Sequence, residues 1–250
     1  MSSLDVAQAT PKVALITGAS HRLGAEIAET LHARGMRVVL HYHHSAEGAA
    51  ALHAKLAARR AESVLSIAAD LALEAERTAL ITQIQTVWGR LDVLVNNAAV
   101  FFPTPVATST VAQWHRVLGV NLEAPYFLSQ AALPLLRSAG GSIINLCDVY
   151  AERPRPDYAI YCISKAGLLG LTRALARDLA PAVRVNAVSP GAILWSADAS
   201  TAEQQAILSR TPLGRSGSAV DIAGAVQYLI DAPYVTGQIV AVDGGRSIYD

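Results

Sequence analysis

Short, continuously apolar runs alternate with longer helix-forming segments along almost the whole chain. Strands that are apolar at every position are typical of a parallel sheet that is covered on both faces. The segments between them are long enough to be the helical crossovers that parallel strands require. The pattern therefore predicts an α/β protein with a doubly wound, seven-stranded parallel sheet and helices on both faces. Strands are expected at residues 12–17, 37–42, 63–69, 91–95, 141–146, 183–188 and 238–243, and helices at about 23–34, 45–60, 73–88, 108–118, 121–138, 158–179 and 219–230.

The 250 residues contain no linker, low-complexity segment or internal repeat, so we expect one Rossmann-fold domain over residues 1–250. Residues 1–11 are expected to form a flexible N-terminal segment, and residues 191–215 to be irregular. The formal net charge of zero gives no electrostatic footprint for nucleic acid or an anionic membrane. We expect no transmembrane helix and no signal peptide, and the two cysteines, Cys147 and Cys162, show no metal spacing. A reduced, cytoplasmic setting is expected.

The segment from Thr17 to Gly24 lies where the first predicted strand turns into the first predicted helix. Glycines at such a turn let the backbone approach a pyrophosphate, and the helix N-terminus offers unpaired N–H groups to the anion. Only Gly18 and Gly24 are present, and Arg22 stands where a middle glycine is common. The context predicts a dinucleotide site; the alternative is an ordinary strand-to-helix turn with a solvated arginine.

The end of the second strand distinguishes NADP from NAD. A carboxylate there would hold the ribose 2′-hydroxyl, whereas a basic group would hold a 2′-phosphate. Imidazoles and a hydroxyl can bind phosphate, although arginine would bind it better because histidine is largely neutral at pH 7. The segment favours NADPH over NADH; a histidine-rich surface loop is the alternative, and a metal site is disfavoured because no acid or cysteine accompanies the histidines. The residues concerned are His41, Tyr42, His43, His44 and Ser45.

Tyr161 and Lys165 are four residues apart on a predicted helix, so they share one helical face. A cation held beside a phenol lowers the pKa of the phenol from about 10 towards neutral pH, which would make Tyr161 a proton donor in a reduction. Asp148 lies thirteen residues before Tyr161, just past the fifth predicted strand. The alternative role of Asp148 is to cap a turn, because Asp is common at such positions.

Five features together resemble the short-chain dehydrogenase/reductase superfamily from about residue 11 to residue 250. They are Thr17-Gly18 with Gly24, Asp70 after the third strand, Asn96-Asn97-Ala98-Ala99 after the fourth, Asn121, and Tyr161 with Lys165; Pro190-Gly191 and Asp243-Gly244-Gly245 match later motifs. The resemblance implies an oxidoreductase with a nicotinamide cofactor, and a homotetramer built through the helices at about 108–138 and 158–179. It assigns cofactor binding to Gly18, Ser20, His21, Arg22, Leu23, His41, Tyr42, His43, His44, Ser45, Asp70, Leu71, Asn97, Ala98, Ala99, Tyr161, Lys165, Pro190 and Gly191.

Within that superfamily the chain is similar to the pteridine reductases. The details that carry this are Arg22 in place of the middle glycine, the segment 41–45, the loop 97–105 with Phe101 and Phe102, and Asp148 where most of the superfamily has a serine. The segment 148–153 also resembles bacterial dihydromonapterin reductases. Two residues depart from the branch: His44 stands where an arginine is usual, and Ala99 where a hydroxyl residue is frequent.

This resemblance implies reduction of a C=N bond in a small-molecule pterin or folate, namely dihydrobiopterin, dihydromonapterin or dihydrofolate. Tyr161 and Asp148 would supply the proton. Lys165 would lower the Tyr161 pKa and hold the nicotinamide ribose, and Asn121 would hold a water behind Lys165. In substrate binding, Phe101 would stack on the pterin while Phe102 joins the core, Arg22 would face the pterin carbonyl, and Trp195 would help to shape the pocket. The C-terminal tail, residues 246–250, would approach a neighbouring subunit's active site.

Two alternatives stay open. A carbonyl or 3-oxoacyl reductase could use the same scaffold, because the variable segment 191–215 sets the substrate and a fold does not determine a function. A non-catalytic dinucleotide sensor is the other alternative, although such a protein would usually have lost Tyr161 or Lys165, and both are present.

Overall fold

The computed structural model describes residues 10–195 and 200–248, and these contain one seven-stranded, wholly parallel sheet. The strand order is β3-β2-β1-β4-β5-β6-β7, so the chain reverses direction across the sheet between β1 and β4. The predicted doubly wound Rossmann fold is confirmed. Residues 1–9 of the N-terminal segment that we expected to be flexible lie outside the described residues. The strands are β1 (Val13–Ile16), β2 (Arg37–Tyr42), β3 (Val64–Ala68), β4 (Val93–Asn96), β5 (Ser142–Leu146), β6 (Arg184–Pro190) and β7 (Ile239–Val242).

The helices follow the predicted order with two differences. A helix at Thr201–Leu208 falls in the segment expected to be irregular; it has no buried residue, so its sequence carries no apolar stripe. The two helices predicted at about 108–118 and 121–138 are joined without a loop, because Gly119–Glu123 forms a π-helical turn between them. The helices are α1 (Arg22–Ala33), α2 (Ala46–Arg59), α3 (Glu74–Trp88), α4 (Val111–Leu118), α5 (Ala124–Ala139), α6 (Ala159–Leu179), α7 (Thr201–Leu208) and α8 (Ala219–Asp231).

The sheet separates two hydrophobic cores. Because successive side chains on a strand point to opposite faces, Ala14 and Ile16 of β1 pack with α1, α2 and α8, whereas Val13 and Leu15 pack with α3, α5 and α6. Both faces of the central strands are thereby removed from water, which explains their continuously apolar sequences.

Helix α6 is the one described helix that is long and apolar enough, by length and composition alone, to cross a membrane. Of its most apolar window, 56% is buried inside the protein. Its buried residues include Leu168, Leu169 and Ala176, which pack into the cores beneath the sheet. This is the environment of a core helix in a globular protein.

Candidate active site

A cleft of about 560 Å³ opens at the carboxyl ends of the central strands, beside the reversal between β1 and β4. Ligands of doubly wound sheets bind at this switch point. The structure brings every residue that the sequence assigned to cofactor, substrate or catalysis to the lining of this cleft, with the exception of Asn121. Among the described residues, no three His, Cys, Asp or Glu side chains are grouped so as to hold a metal ion.

The turn after β1 is held in place by side chains from neighbouring strands. Gly18 has a φ of +63°, and its N–H donates to Nδ1 of His41 over 3.1 Å. The Asn97 amide donates to the carbonyl oxygens of Thr17 (2.8 Å) and Gly18 (3.1 Å). A Cβ at Gly24 would lie 2.3 Å from the Gly18 carbonyl oxygen, so only glycine fits there. The turn is therefore packed for a close approach of backbone to ligand.

His41 does not act as the sequence suggested. The side chain is buried, and its Nε2 lies 3.0 Å from the Ala69 carbonyl oxygen while Nδ1 accepts from Gly18. These contacts assign the proton to Nε2 and leave no ring nitrogen for a phosphate. Burial lowers the His41 pKa, which keeps the ring neutral. His41 thus supports the glycine turn. The expectation that its ring binds phosphate is replaced by this structural role.

The first turn of α1 is suited to an anion. It carries no acidic residue and no side-chain cap, so its backbone N–H groups face the cleft without a competing side-chain acceptor. Arg22 begins this helix with a φ of +55°, a conformation that favours glycine and that marks a position under local constraint. Its exposed guanidinium makes no hydrogen bond or ion pair within residues 10–195 and 200–248. The residues fit the diphosphate of a dinucleotide.

The corner of the cleft after β2 holds the other histidines. The rings of His43 and His44 stack at 3.5 Å, and His43 Nε2 lies 3.8 Å from Asp70 Oδ2. No acidic residue directly follows β2 in the sequence. Asp70, which follows the end of β3, nevertheless brings a carboxylate to this corner. The carboxylate offsets part of the attraction that this corner would exert on a 2′-phosphate.

The start of α6 and the turn that follows β5 bring together the residues proposed to carry the chemistry. The Tyr161 hydroxyl donates to Asp148 Oδ2 over 2.8 Å, and both residues line the cleft. Asp148 also caps the 3₁₀ turn Val149–Ala151, because its Oδ1 accepts from the Tyr150 N–H over 2.8 Å. The capping role and the contact to Tyr161 are thus both present. Lys165 is fully buried and donates to the Leu146 carbonyl oxygen over 2.7 Å.

The Tyr161 pKa is raised well above its ordinary value, which corrects the expectation that Lys165 would lower it. Burial of the phenol is the main cause, and the neighbouring Asp148 carboxylate adds to it. The Lys165 ammonium is directed at the Leu146 carbonyl and lies 5.8 Å from the Tyr161 ring centre, and burial lowers its own pKa. Burial also raises the Asp148 pKa, against the hydrogen bonds from Tyr150 and Tyr161. Burial therefore opposes the ionisation of both side chains.

Asn121 lies in the π-helical turn, behind the cleft wall. Its side chain bonds both backbone groups of Val100, at 2.8 and 3.0 Å, and donates to Ser164 Oγ at 3.1 Å. The Asn121 side chain thereby fixes the loop that carries Phe101 to the helix that carries Tyr161.

The two adjacent phenylalanines separate as predicted from their positions in a loop. Phe101 lines the cleft, stacks on Tyr158 at 4.4 Å and meets the edge of Tyr161 at 4.7 Å. Phe102 packs against the cluster that contains Val117 and Ile160. Phe101 therefore offers an aromatic wall to a flat ligand, while Trp195 lines the cleft farther along.

Among the cleft residues to which the sequence analysis gave no role in the chain's own site are four with charged or hydroxyl side chains: Tyr150, Arg155, Glu203 and Arg246. Arg155 pairs with Glu203 of α7 over 2.6 Å and lies over the Tyr158 ring. Arg246, which belongs to the tail expected to approach a neighbouring subunit's active site, donates to the Tyr150 hydroxyl of its own chain over 3.3 Å. Residues 249–250 of that tail lie outside the described part of the chain. Only Arg155 had a signal in the sequence, because it is an arginine that lies between two tyrosines, Tyr150 and Tyr158.

Comparison with known proteins agrees with this geometry. A family model described as enoyl-(acyl carrier protein) reductase matches residues 18–247. Pteridine reductase 1 of Leishmania tarentolae is 36% identical over 281 residues, covering 96% of this chain and 97% of that protein. A 3-oxoacyl-[acyl-carrier-protein] reductase of Staphylococcus aureus is 38% identical over 240 residues, covering 94% and 97%. The corresponding reductase of Synechocystis is 35% identical over 245 residues, covering 96% and 98%. Identity alone therefore does not separate pterin reduction from 3-oxoacyl reduction.

Proposed function

The chain belongs to the short-chain dehydrogenase/reductase family of oxidoreductases, and we propose that it is an NADPH-dependent pteridine reductase. The proposed reaction reduces a C=N bond of dihydrobiopterin, dihydromonapterin or dihydrofolate to the tetrahydro form. The observation that carries the proposal is the 2.8 Å hydrogen bond from the Tyr161 hydroxyl to Asp148 Oδ2.

A carboxylate in this position suits a nitrogen better than a ketone. Reduction of a ketone develops negative charge on oxygen, and Asp148 would repel that oxyanion from the Tyr161 hydroxyl. A pterin ring nitrogen instead becomes more basic, and a carboxylate beside it can pass a proton or stabilise a cationic ring. Asp148 therefore favours a C=N substrate.

The shape of the cleft supports a flat bicyclic substrate. Phe101 stands at the wall next to Tyr161, with 42% of its surface exposed in the cleft-lining loop. A partly exposed aromatic ring in a cleft wall is the partner that a planar heterocycle stacks on. Arg22 lines the same cleft, and its guanidinium would face both a substrate carbonyl and the phosphates of the cofactor.

The residues of the chain divide the chemistry among them. A bound reduced nicotinamide cofactor supplies the hydride. Tyr161 and Asp148, joined by the 2.8 Å hydrogen bond, would supply the proton to the substrate nitrogen, and the Asp148 carboxylate would stabilise the positive charge that develops on the ring. Lys165 uses one of three N–H donors on Leu146, which leaves two for the nicotinamide ribose. Asn121 positions the Phe101 loop against α6.

Reduction of a 3-oxoacyl thioester is the second candidate. Its specific support is the sequence identity of 35–38% to 3-oxoacyl-[acyl-carrier-protein] reductases over nearly the full chain. The same Tyr161 and Lys165 would serve that reaction. Asp148 is the residue that argues against it.

The test is NADPH consumption by the purified protein with a 7,8-dihydropterin, dihydrofolate and a 3-oxoacyl thioester offered in parallel. We expect turnover of a pterin or of dihydrofolate at a rate at least tenfold above that with the thioester. Tyr161→Phe serves as the control, because it removes the proton donor and should abolish every true turnover. Turnover of the thioester alone would favour the second candidate.

NADPH as the preferred cofactor, a homotetramer and a cytoplasmic location are parts of the same proposal. An oligomer is supported by large apolar side chains that are exposed on α4, α5 and α6, among them Trp114, Tyr126, Phe127 and Ile163. Light scattering on the purified protein tests the oligomer directly, and a monomeric mass would contradict it.

A further inference from the structure

The Tyr150 ring in the wall of the catalytic cleft lies against two guanidinium groups. Arg246 Cζ is 5.3 Å from the centre of the ring, and its Nη2 donates to the Tyr150 hydroxyl over 3.3 Å. Arg155 Cζ is 5.8 Å from the centre of the same ring. Both arginines line the cleft together with Asp148 and Tyr161.

The charges of this wall are not balanced. Arg155 pairs with Glu203 over 2.6 Å, and Asp148 is acted on by the charges of Lys165 and, more weakly, of Arg246. Arg246 has no carboxylate within 4.0 Å among the residues that the structure describes. A half-buried arginine that lacks an acidic partner leaves several N–H donors unused on the side that faces the cleft.

The Arg246 side chain is not required to hold the C-terminal turn in place. The Asp243 side chain accepts from the Gly245 and Ser247 N–H groups at 2.9 and 2.7 Å. Arg153, which does not line the cleft, donates to the Ser247 carbonyl oxygen over 3.0 Å. Since these bonds already anchor residues 243–248, the Arg246 guanidinium is free to serve a ligand.

We propose that Arg246, with Arg155 beside it, binds an anionic substituent of the substrate, a carboxylate or a phosphate monoester. Guanidinium groups bind both oxyanions through paired N–H donors, and these charge-assisted bonds are about twice as strong as neutral ones. The inference rests on the proposed function, and it favours substrates that carry an acidic side chain, as dihydrofolate does and as dihydrobiopterin and dihydromonapterin do not. It also assigns a role to Arg155 and Arg246, which take no part in the proposed hydride and proton transfer.

The test compares pterins that differ only in the substituent at C6, which is neutral in one ligand and anionic in the other two. With the oxidised cofactor bound, so that no turnover occurs, the dissociation constants of 6-hydroxymethylpterin, its phosphate monoester and pterin-6-carboxylate are measured from the intrinsic pterin fluorescence. We expect the wild-type protein to bind at least one anionic ligand tenfold or more tightly than the neutral one. Which anion is preferred identifies the source, carboxylate or phosphate.

The variants separate charge recognition from folding. Arg246→Gln is expected to remove the preference and leave the affinity for 6-hydroxymethylpterin within twofold, whereas Arg246→Lys keeps part of the preference. Arg153→Gln is the matched control, because it loosens the same turn from outside the cleft and should keep the full preference.

Two results would overturn the inference while the proposed function stands. One is equal binding of all three ligands by the wild-type protein. The other is an equal loss of affinity for neutral and anionic ligands in Arg246→Gln, which would mean that Arg246 only supports the cleft wall. Failure of every pterin to bind would instead remove the proposed function itself, and the inference with it.

Discussion

The Tyr161 hydroxyl donates a 2.8 Å hydrogen bond to Asp148 Oδ2 in the wall of the cleft, where Tyr161 is buried and Asp148 is half-buried. Each partner holds its proton more firmly than it would in water, because burial raises the pKa of both. A proton source of this kind suits a substrate whose basicity rises as it is reduced. Because of the same burial, the ionisation of Asp148 is expected to change the stability of the protein with pH.

The Asp148 pKa predicts how stability depends on pH. An acid whose pKa is raised in the folded state binds its proton more tightly there, so its contribution to stability is present below the unfolded pKa of about 3.9 and is lost as pH rises through the folded pKa. Asp148→Asn keeps the shape and removes this loss. We therefore expect the melting temperature of Asp148→Asn, relative to wild type, to increase as the pH rises from about 4 towards neutrality, by about 2–4 °C per kcal/mol for a domain of this size.

The measurement is calorimetry of both proteins over that range, with Asp221→Asn as a control. Asp221 is exposed, and its hydrogen bonds with Ser218 lower its pKa, so its variant should show the opposite slope. A melting-temperature difference for Asp148→Asn that falls with rising pH would mean that Tyr161, Lys165 and Arg246 outweigh the burial of the carboxylate.

Cofactor choice is predicted to depend on the exposed ring of His44. Replacing it with arginine supplies a cation that stays protonated at pH 7 and can pair with a 2′-phosphate. We expect His44→Arg to bind NADPH about tenfold more tightly, which corresponds to about 1.4 kcal/mol. NADH, which lacks the phosphate, is the internal control and should change less than twofold in a calorimetric titration. Parallel changes for both cofactors would place the 2′-phosphate elsewhere.

The glycine turn is predicted to tolerate no side chain at Gly24. A Cβ there would lie 2.3 Å from the Gly18 carbonyl oxygen and 2.7 Å from Asn97 Nδ2, so the turn must move. We expect Gly24→Ala to lower stability by about 1–3 kcal/mol and to weaken cofactor binding at least tenfold. Gly224→Ala is the matched control: a Cβ at Gly224 meets nothing within 4 Å, so the helix should gain about 0.5–1 kcal/mol. Unchanged cofactor affinity in Gly24→Ala would contradict the proposed position of the diphosphate.

The sequence predicted the sheet well because its strands are buried on both faces, and burial leaves a continuous apolar run. It did not predict α7, because a helix with no buried residue leaves no apolar stripe. The residues of the site were found where a motif links residue type to backbone geometry, as at Gly18, Gly24 and the pair Tyr161–Lys165. Motifs do not state where a side chain points.

That limit explains the corrections. The spacing of Tyr161 and Lys165 placed both on one helical face, but the Leu146 carbonyl draws the ammonium away from the phenol. His41 lies in a segment that looks suited to phosphate, yet its ring is enclosed between Gly18 and Ala69. Arg246 reaches Tyr150 across 96 residues of sequence, a contact that only the packing of the C-terminal turn creates.

The most direct test of the account is the substrate preference of Asp148→Ser against wild type, with NADPH consumption measured on a 7,8-dihydropterin and on a 3-oxoacyl thioester. Serine keeps a hydroxyl near Tyr161 but cannot carry the proton or stabilise a cationic ring, a loss of general acid–base catalysis of about 10²- to 10⁴-fold. We predict that pterin turnover falls by at least 10²-fold while thioester turnover stays level or rises, with cofactor affinity unchanged. Pterin turnover that survives in Asp148→Ser, or thioester turnover that falls with it, would contradict the role given to the carboxylate.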